Sequence, residues 1–296
     1  MKLFPRMELA VRAMALCCSD DEREEHNKTQ SADCDKSPIA RSEVFNETWM
    51  LRLTLALIHD YDGSGFENSP SLKLIQNAVQ QRWISEGGLE PAFDKEGTTW
   101  TDAILGNVKL DDSTEPKAKR GVIVDVDEKC GNSVGIVVIE AKMNSALASC
   151  ITHASDYNQA ARNIACLAKL TMTHVELQKK SAFIVFAPRK KIEDWHNAGR
   201  DPNEMIKGAW TTIKDQMAER DKQGEKGKNH ARYLNVDNEE SMETAVNSII
   251  ETSKSKAMPW EEVIECMADD KTGAYEFLKR FYKQTCDEYG IEPKWK

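Results

Sequence analysis

GIVVIEAK, residues 135–142, is the stretch whose reading decides the fold. Ile136, Val137, Val138 and Ile139 form an unbroken apolar run rather than an alternating one. That pattern belongs to a central strand covered by helices on both faces. Two charges then close the strand. Side chains alternate along a strand with period two, so Glu140 and Lys142 project to one face and Ala141 to the other. Strands often end in charges simply because they reach solvent, so the pair alone does not establish a site.

Downstream, residues 155–170 restore a helical period, with Tyr157, Ala160, Ala161, Ile164, Leu167 and Ala168 on one face. Gln159, Arg162 and Asn163 make the opposite, polar face. A second apolar run at 181–187 reads as another strand. Upstream, β-rich runs occupy 99–105 and 121–126, and residues 127–133 look like a hairpin connection. Further out, residues 42–59 read as a helix with Ser42 as N-cap, and 71–84 as a second helix ending at Gly87 and Gly88. Beyond Pro188 the chain is mainly helical from residue 194, with a polar, basic interruption at 222–232. The last helices are expected at 241–252, 260–268 and 273–289. The order predicts an α/β fold with one central mixed β-sheet flanked by helices, and helical C-terminal additions. Residues 19–36 are polar, acidic and without apolar period, so residues 1–41 are expected to be a flexible acidic leader and 42–296 the folded domain.

The 296 residues suffice for one large domain, and the net charge of −9 argues against a broadly basic polyanion-binding surface while leaving room for a local basic groove. No run approaches the ~20 apolar residues of a membrane span, so no membrane role is expected. Eight cysteines occur without a C-x₂-C pair, which lacks the spacing of a structural zinc site and the density of a disulfide-stapled domain. Glu8, Arg6 and Arg12 interrupt the segment that a secretory signal would need to keep apolar. An intracellular protein of cytoplasm or nucleus, not a secreted one, is the expectation.

Chemistry enters with a second carboxylate. Asp102, in TWTDAILG, starts an upstream β-run, and two carboxylates can hold one Mg²⁺, which retains waters and a phosphate oxygen in the remaining positions. Lys142 would then lie beside the attacking water or the phosphate. Asp125, one strand before Glu140, rivals Asp102 on spacing, but its position near a turn gives it a backbone reason to be there. Glu47 shares a helical stripe with Val44, Met50, Leu51, Thr54 and Ile58, so it points inward and needs a donor or a cation; a helix-start acid is the alternative. Gln159 is placed to orient water or Lys142, and Arg162 to meet phosphate. His153 is a lone loop histidine.

Asp at a strand start followed by Glu-x-Lys at the end of the next core strand resembles the signature of the PD-(D/E)xK, or restriction endonuclease-like, nuclease superfamily, with Thr101 in place of the signature proline. DYNQAARNIACLAKL resembles that family's post-core helix, whose glutamine, here Gln159, faces the active site. FNETWMLRL resembles the helix supplying a further acid, here Glu47. SAFIVFAPRK, MPWEEVIECM and EFLKRFY resemble its fourth core strand and closing helices. The resemblance covers about residues 42–282. It implies a restriction endonuclease-like core and hydrolysis of phosphodiester bonds in nucleic acid, DNA before RNA. Mg²⁺ or Mn²⁺ would be held by Asp102, Glu140 and Glu47, Lys142 and Gln159 would serve catalysis, and Arg162, Lys190 and Lys191 would contact nucleic acid. The competing expectation is an inactive nuclease-fold module that only binds nucleic acid or protein. No Walker or dinucleotide-binding glycine motif supports a nucleotide-using enzyme.

Overall fold

A computed structural model describes residues 3–16, 41–93, 96–111, 121–125, 134–149, 157–225, 239–251 and 254–295. In chain order the first half carries helices α1 (Phe4–Leu16), α2 (Arg41–Val44), α3 (Glu47–Asp60) and α4 (Pro70–Gln81), then strands β1 (Trp83–Leu89), β2 (Thr99–Gly106), β3 (Val108–Leu110), β4 (Val122–Val124) and β5 (Ile136–Ala141). The second half carries α5 (Gln159–Thr171), α6 (Val175–Gln178), β6 (Ala182–Ala187), α7 (Arg189–Asn197), α8 (Pro202–Lys207), α9 (Ala209–Glu225) and α10 (Glu239–Ile250). β7 (Lys256–Pro259), α11 (Trp260–Glu265) and α12 (Ala274–Glu288) follow.

Every residue of β5 and of β6 is buried, as the continuous apolar runs require. These strands lie at the centre of a five-stranded sheet of order β1-β2-β5-β6-β7. β1, β2 and β5 are successively antiparallel, whereas β6 is parallel to β5 and β7 to β6. A parallel neighbour needs a crossover, and α5 supplies it between β5 and β6. The fold is therefore α/β, with a central mixed sheet flanked by helices. One face packs Ala103, Leu105, Val137, Ile139, Ile184 and Phe186 against α1, α3, α4, α11 and α12. The other packs Ile104, Val138, Phe183 and Val185 against α5, α8, α9 and α10. No described helix is long and apolar enough to cross a membrane.

Several local expectations change. The helix expected over 42–59 breaks at Phe45, and Asn46 rather than Ser42 caps α3, its side chain accepting the Trp49 N–H at 3.0 Å. Asn46 wins because it precedes the long apolar helix, which is buried nearly all round. Gly87 and Gly88 do not end a helix: α4 stops at Gln81 and both glycines lie in β1. A Cβ on Gly87 would stand 2.6 Å from Ile104 Cδ1, so β2 excludes a side chain there. β3, β4 and β7 are short; β3 pairs with β4 as a separate ribbon, and α7 starts five residues earlier than the helix expected at 194. Within the stretch assigned to a leader, α1 is folded onto the domain, with Phe4 2 % exposed and its N–H donated to Asp60 Oδ2 at 2.8 Å. Residues 17–40, the connection at 127–133 and His153 lie outside the described residues.

Candidate active site

The β2–β5 register pairs Ala103 with Ile139, and its continuation by one residue sets Asp102 across from Glu140. Glu140 is 3 % exposed. Such a carboxyl needs donors, and it has them. Its Oε1 accepts Gln159 Nε2 at 2.9 Å and Asn163 Nδ2 at 3.1 Å, and its Oε2 accepts Lys142 Nζ at 3.2 Å. Asp102 Oδ2 accepts the Ala141 N–H at 2.7 Å. Burial pushes the Glu140 carboxyl up to about 7; Lys142 opposes this, and the charge and hydrogen bond of Asp102 reinforce it. Burial would lower the Lys142 ammonium, but Glu140, Asp102 and Glu47 outweigh it and the net shift is upward.

Glu47 is the first residue of α3. Its Oε2 accepts the Met143 N–H at 3.0 Å, just past the end of β5. Burial raises its carboxyl, against the pull of Lys142 and the Met143 N–H, and Asp102 raises it further. α3 thus brings a third carboxylate to the same end of the sheet. α5 brings Gln159 and Asn163, which are one helical turn apart and so share a face. Asn158 caps that helix by accepting the Ala161 N–H at 2.9 Å. Gln159 Oε1 also accepts the Ala148 N–H at 3.2 Å, tying the helix start to the segment after β5.

A local irregularity shapes the position of Asp102. Ile84 and Ile104 both face α5, so strict alternation would turn Leu89 and Thr99 away from it. Instead Leu89 is buried on the α5 side and Thr99 Oγ1 lies 3.4 Å from Cys166 Sγ of α5. Both strands therefore shift their alternation by one. The shift on β1 coincides with Glu86, whose φ of 57° is left-handed, and Glu86 stands opposite Asp102 in the β1–β2 register. Arg52 of α3 holds the kink, donating to Glu86 Oε1 at 3.1 Å and Ser85 Oγ at 3.3 Å.

The structure thus brings Asp102, Glu140, Lys142, Gln159 and Glu47 together. It separates others. Asp125 directly follows β4 and is paired with Arg82 at 3.1 Å and Lys109 at 3.4 Å, beside the β3–β4 ribbon. Arg162 turns from phosphate to protein: it donates to the Gly97 carbonyl at 2.7 Å and lies 4.0 Å from Glu96, which also pairs with Arg220 at 2.7 Å. Lys190 and Lys191 begin α7, directly after β6, whose Phe186 carbonyl accepts the Lys142 N–H; Lys190 pairs with Asp194 at 3.3 Å. Asn163, read from sequence as part of a polar helix face, is fully buried against Glu140. Its spacing of four from Gln159 was the available signal.

Among the described residues no group of three or more His, Cys, Asp or Glu side chains is arranged to hold a metal ion. The acidic set that does exist is oxygen-only: Glu140 near the end of β5, Asp102 opposite it on β2, and Glu47, the last two each accepting one backbone N–H. Two carboxylates suit Mg²⁺, which is usually bound by one or two plus waters and substrate oxygens. Asp102 and Glu140 fit such an ion, and Glu47 fits the role of a nearby charge rather than a third ligand. Comparison of the chain with family models, curated proteins and solved structures finds no match.

Proposed function

We propose that the chain is a divalent-metal-dependent phosphodiesterase acting on nucleic acid, with a restriction endonuclease-like core of the PD-(D/E)xK kind. The observation that carries the reading is the convergence of Asp102, Glu140 and Lys142, from two paired strands, under the amides of Gln159 and Asn163. Sequence order alone does not oblige these side chains to meet. Mg²⁺ or Mn²⁺ held by Asp102 and Glu140 would supply Lewis-acid stabilisation of phosphate charge and lower the pKa of a bound water. The chain's own groups do the rest. Lys142 holds a positive charge where phosphate charge builds, kept protonated by three surrounding carboxylates. Gln159 and Asn163 hold Glu140 in one orientation, and Glu47 stands beside Lys142 and anchors the turn after β5 through the Met143 N–H. Lys190 and Lys191 are assigned to the nucleic acid backbone at the same sheet end, with DNA ahead of RNA as substrate.

A second reading, a binding module without catalysis, is favoured by one feature: Glu140 has all its partners from within the protein. Cleavage of single- and double-stranded DNA and RNA with Mg²⁺ or Mn²⁺, and with EDTA, separates the two. Metal-dependent cleavage is expected, with Lys142→Ala slower by at least about a hundredfold, as for loss of a charge-stabilising donor. Binding without metal-dependent cleavage of any substrate overturns the phosphodiesterase reading.

A further inference from the structure

The β1–β2 ribbon runs on past the end of the β5 ladder, through the pairs Gly87 with Thr101, Gly88 with Trp100 and Leu89 with Thr99. Its two sides differ. Leu89 and Thr99 are turned to α5 and buried, which leaves Trp100 on the other side, 54 % exposed. The indole does not stand up from the ribbon. A Cβ on Gly88, its register partner, would lie 3.4 Å from Trp100 Cζ3 and 3.5 Å from Cη2, so the six-membered ring reaches across the ribbon onto the neighbouring glycine. A Cβ at 88 would touch the ring only in ordinary van der Waals contact; its clash would be with Thr98 Cγ2, at 2.8 Å. The glycine thus makes a floor on which a large aromatic lies with much of its surface in solvent.

Trp100 is two residues from Asp102 on the same strand, about 7 Å along the chain. Arg52, with its side chain 30 % exposed, stands on the same side of the ribbon, where it bonds Ser85 and Glu86. An exposed, supported aromatic ring two residues along the strand from a phosphate-handling carboxylate matches the way single strands are held, with bases stacked on aromatic faces; Arg52 is committed to Glu86 and Ser85 and serves to fix the ribbon under the ring. A paired base inside a duplex keeps both of its faces in the stack and offers none to such a ring.

Resting on the phosphodiesterase reading, we propose that Trp100 is a stacking platform for an unpaired base next to the phosphate handled by Asp102, Glu140 and Lys142. The substrate is then single-stranded, or locally unpaired, at the point of attack. DNA and RNA share the base chemistry, and both are probed.

The test is equilibrium binding in EDTA of short fluorescent oligothymidine, oligouridine and a duplex of equal length to wild type, Trp100→Phe and Trp100→Ala, with melting curves to show that the variants fold. Trp100→Ala should weaken single-strand binding roughly tenfold. Trp100→Phe should lose less, and duplex binding should be unchanged. Thymidine against uridine identifies which nucleic acid the platform prefers. Equal single-strand affinity in wild type and Trp100→Ala, no measurable single-strand binding by wild type, or an equal loss on duplex overturns the proposal. Loss of self-association in Trp100→Ala, with unchanged single-strand affinity, gives the ring to a second copy of the chain instead. Cleavage with Mg²⁺ is measured separately. Binding through Trp100 without cleavage removes the phosphodiesterase and keeps the platform, whereas cleavage with an indifferent Trp100→Ala removes the platform alone.

Discussion

Glu140 concentrates the conflict that a buried site must resolve. Its carboxyl is held up at about 7 from an ordinary 4.5, first by burial and then by Asp102, with Lys142 pulling the other way. A carboxyl whose folded pKa lies above its unfolded value binds its proton more tightly in the folded state, so stability is lost as pH rises between the two values. Without divalent cation, the wild-type melting temperature should therefore fall between about pH 4.5 and 7. Glu140→Gln keeps the shape without the charge; it should fall less across that window and melt higher at alkaline pH, by on the order of 2 kcal/mol or a few degrees. Thermal melts across pH read this directly, and parallel curves would show that Glu140 pays no ionisation cost. At this scale Glu140, Lys142 and Gln159 were legible in sequence, because strand and helix periods are local. The contacts of Arg162 with Gly97 and Glu96 were not legible, because both partners arrive from a different segment.

Among elements, β1 carries the least legible information. WISEGGL ends a helical pattern with two glycines, and only pairing with β2 makes it a strand. Its kink at Glu86 costs conformational energy, about 1–2 kcal/mol for an L residue in the left-handed region. Glu86→Gly should remove most of that strain and lose only a surface ion pair with Arg52, worth less than about 1 kcal/mol. Glu86→Val, β-branched, should destabilise by about 1–2 kcal/mol. Urea unfolding of the two variants orders them: glycine at or above wild type, valine below. If valine proves neutral, the left-handed backbone is not what shifts the alternation of the ribbon beside Asp102. β7, only KAMP, escaped the sequence reading for a related reason, since a four-residue strand ending in proline becomes recognisable only as the parallel neighbour of β6.

For the molecule as a whole, α1 decides how far the folded unit extends. Phe4 meets Phe277 of α12 edge-on, with ring centroids 5.9 Å apart, and Val11 is 1 % exposed in the same core. Phe4→Ala leaves a cavity between α1, α3 and α12 and should cost about 3 kcal/mol. A lower urea midpoint in a single transition is expected. An unchanged midpoint would place α1 outside the cooperative unit.

The amino-acid sequence by itself determined the α/β class, the central strand, its terminal Glu140 and Lys142, and the helix that carries Gln159. Each of these follows from apolar period and charge placement within a few residues. Tertiary structure alone decided which carboxylate stands opposite Glu140, because that depends on the register of two strands separated in sequence by the β3–β4 ribbon. It also gave Asp125 to Arg82 and Lys109, Arg162 to Glu96 and Asn163 to Glu140. The physical reason is common to all of them: a charged side chain goes to whichever partner offsets its desolvation, and that partner lies far away in sequence.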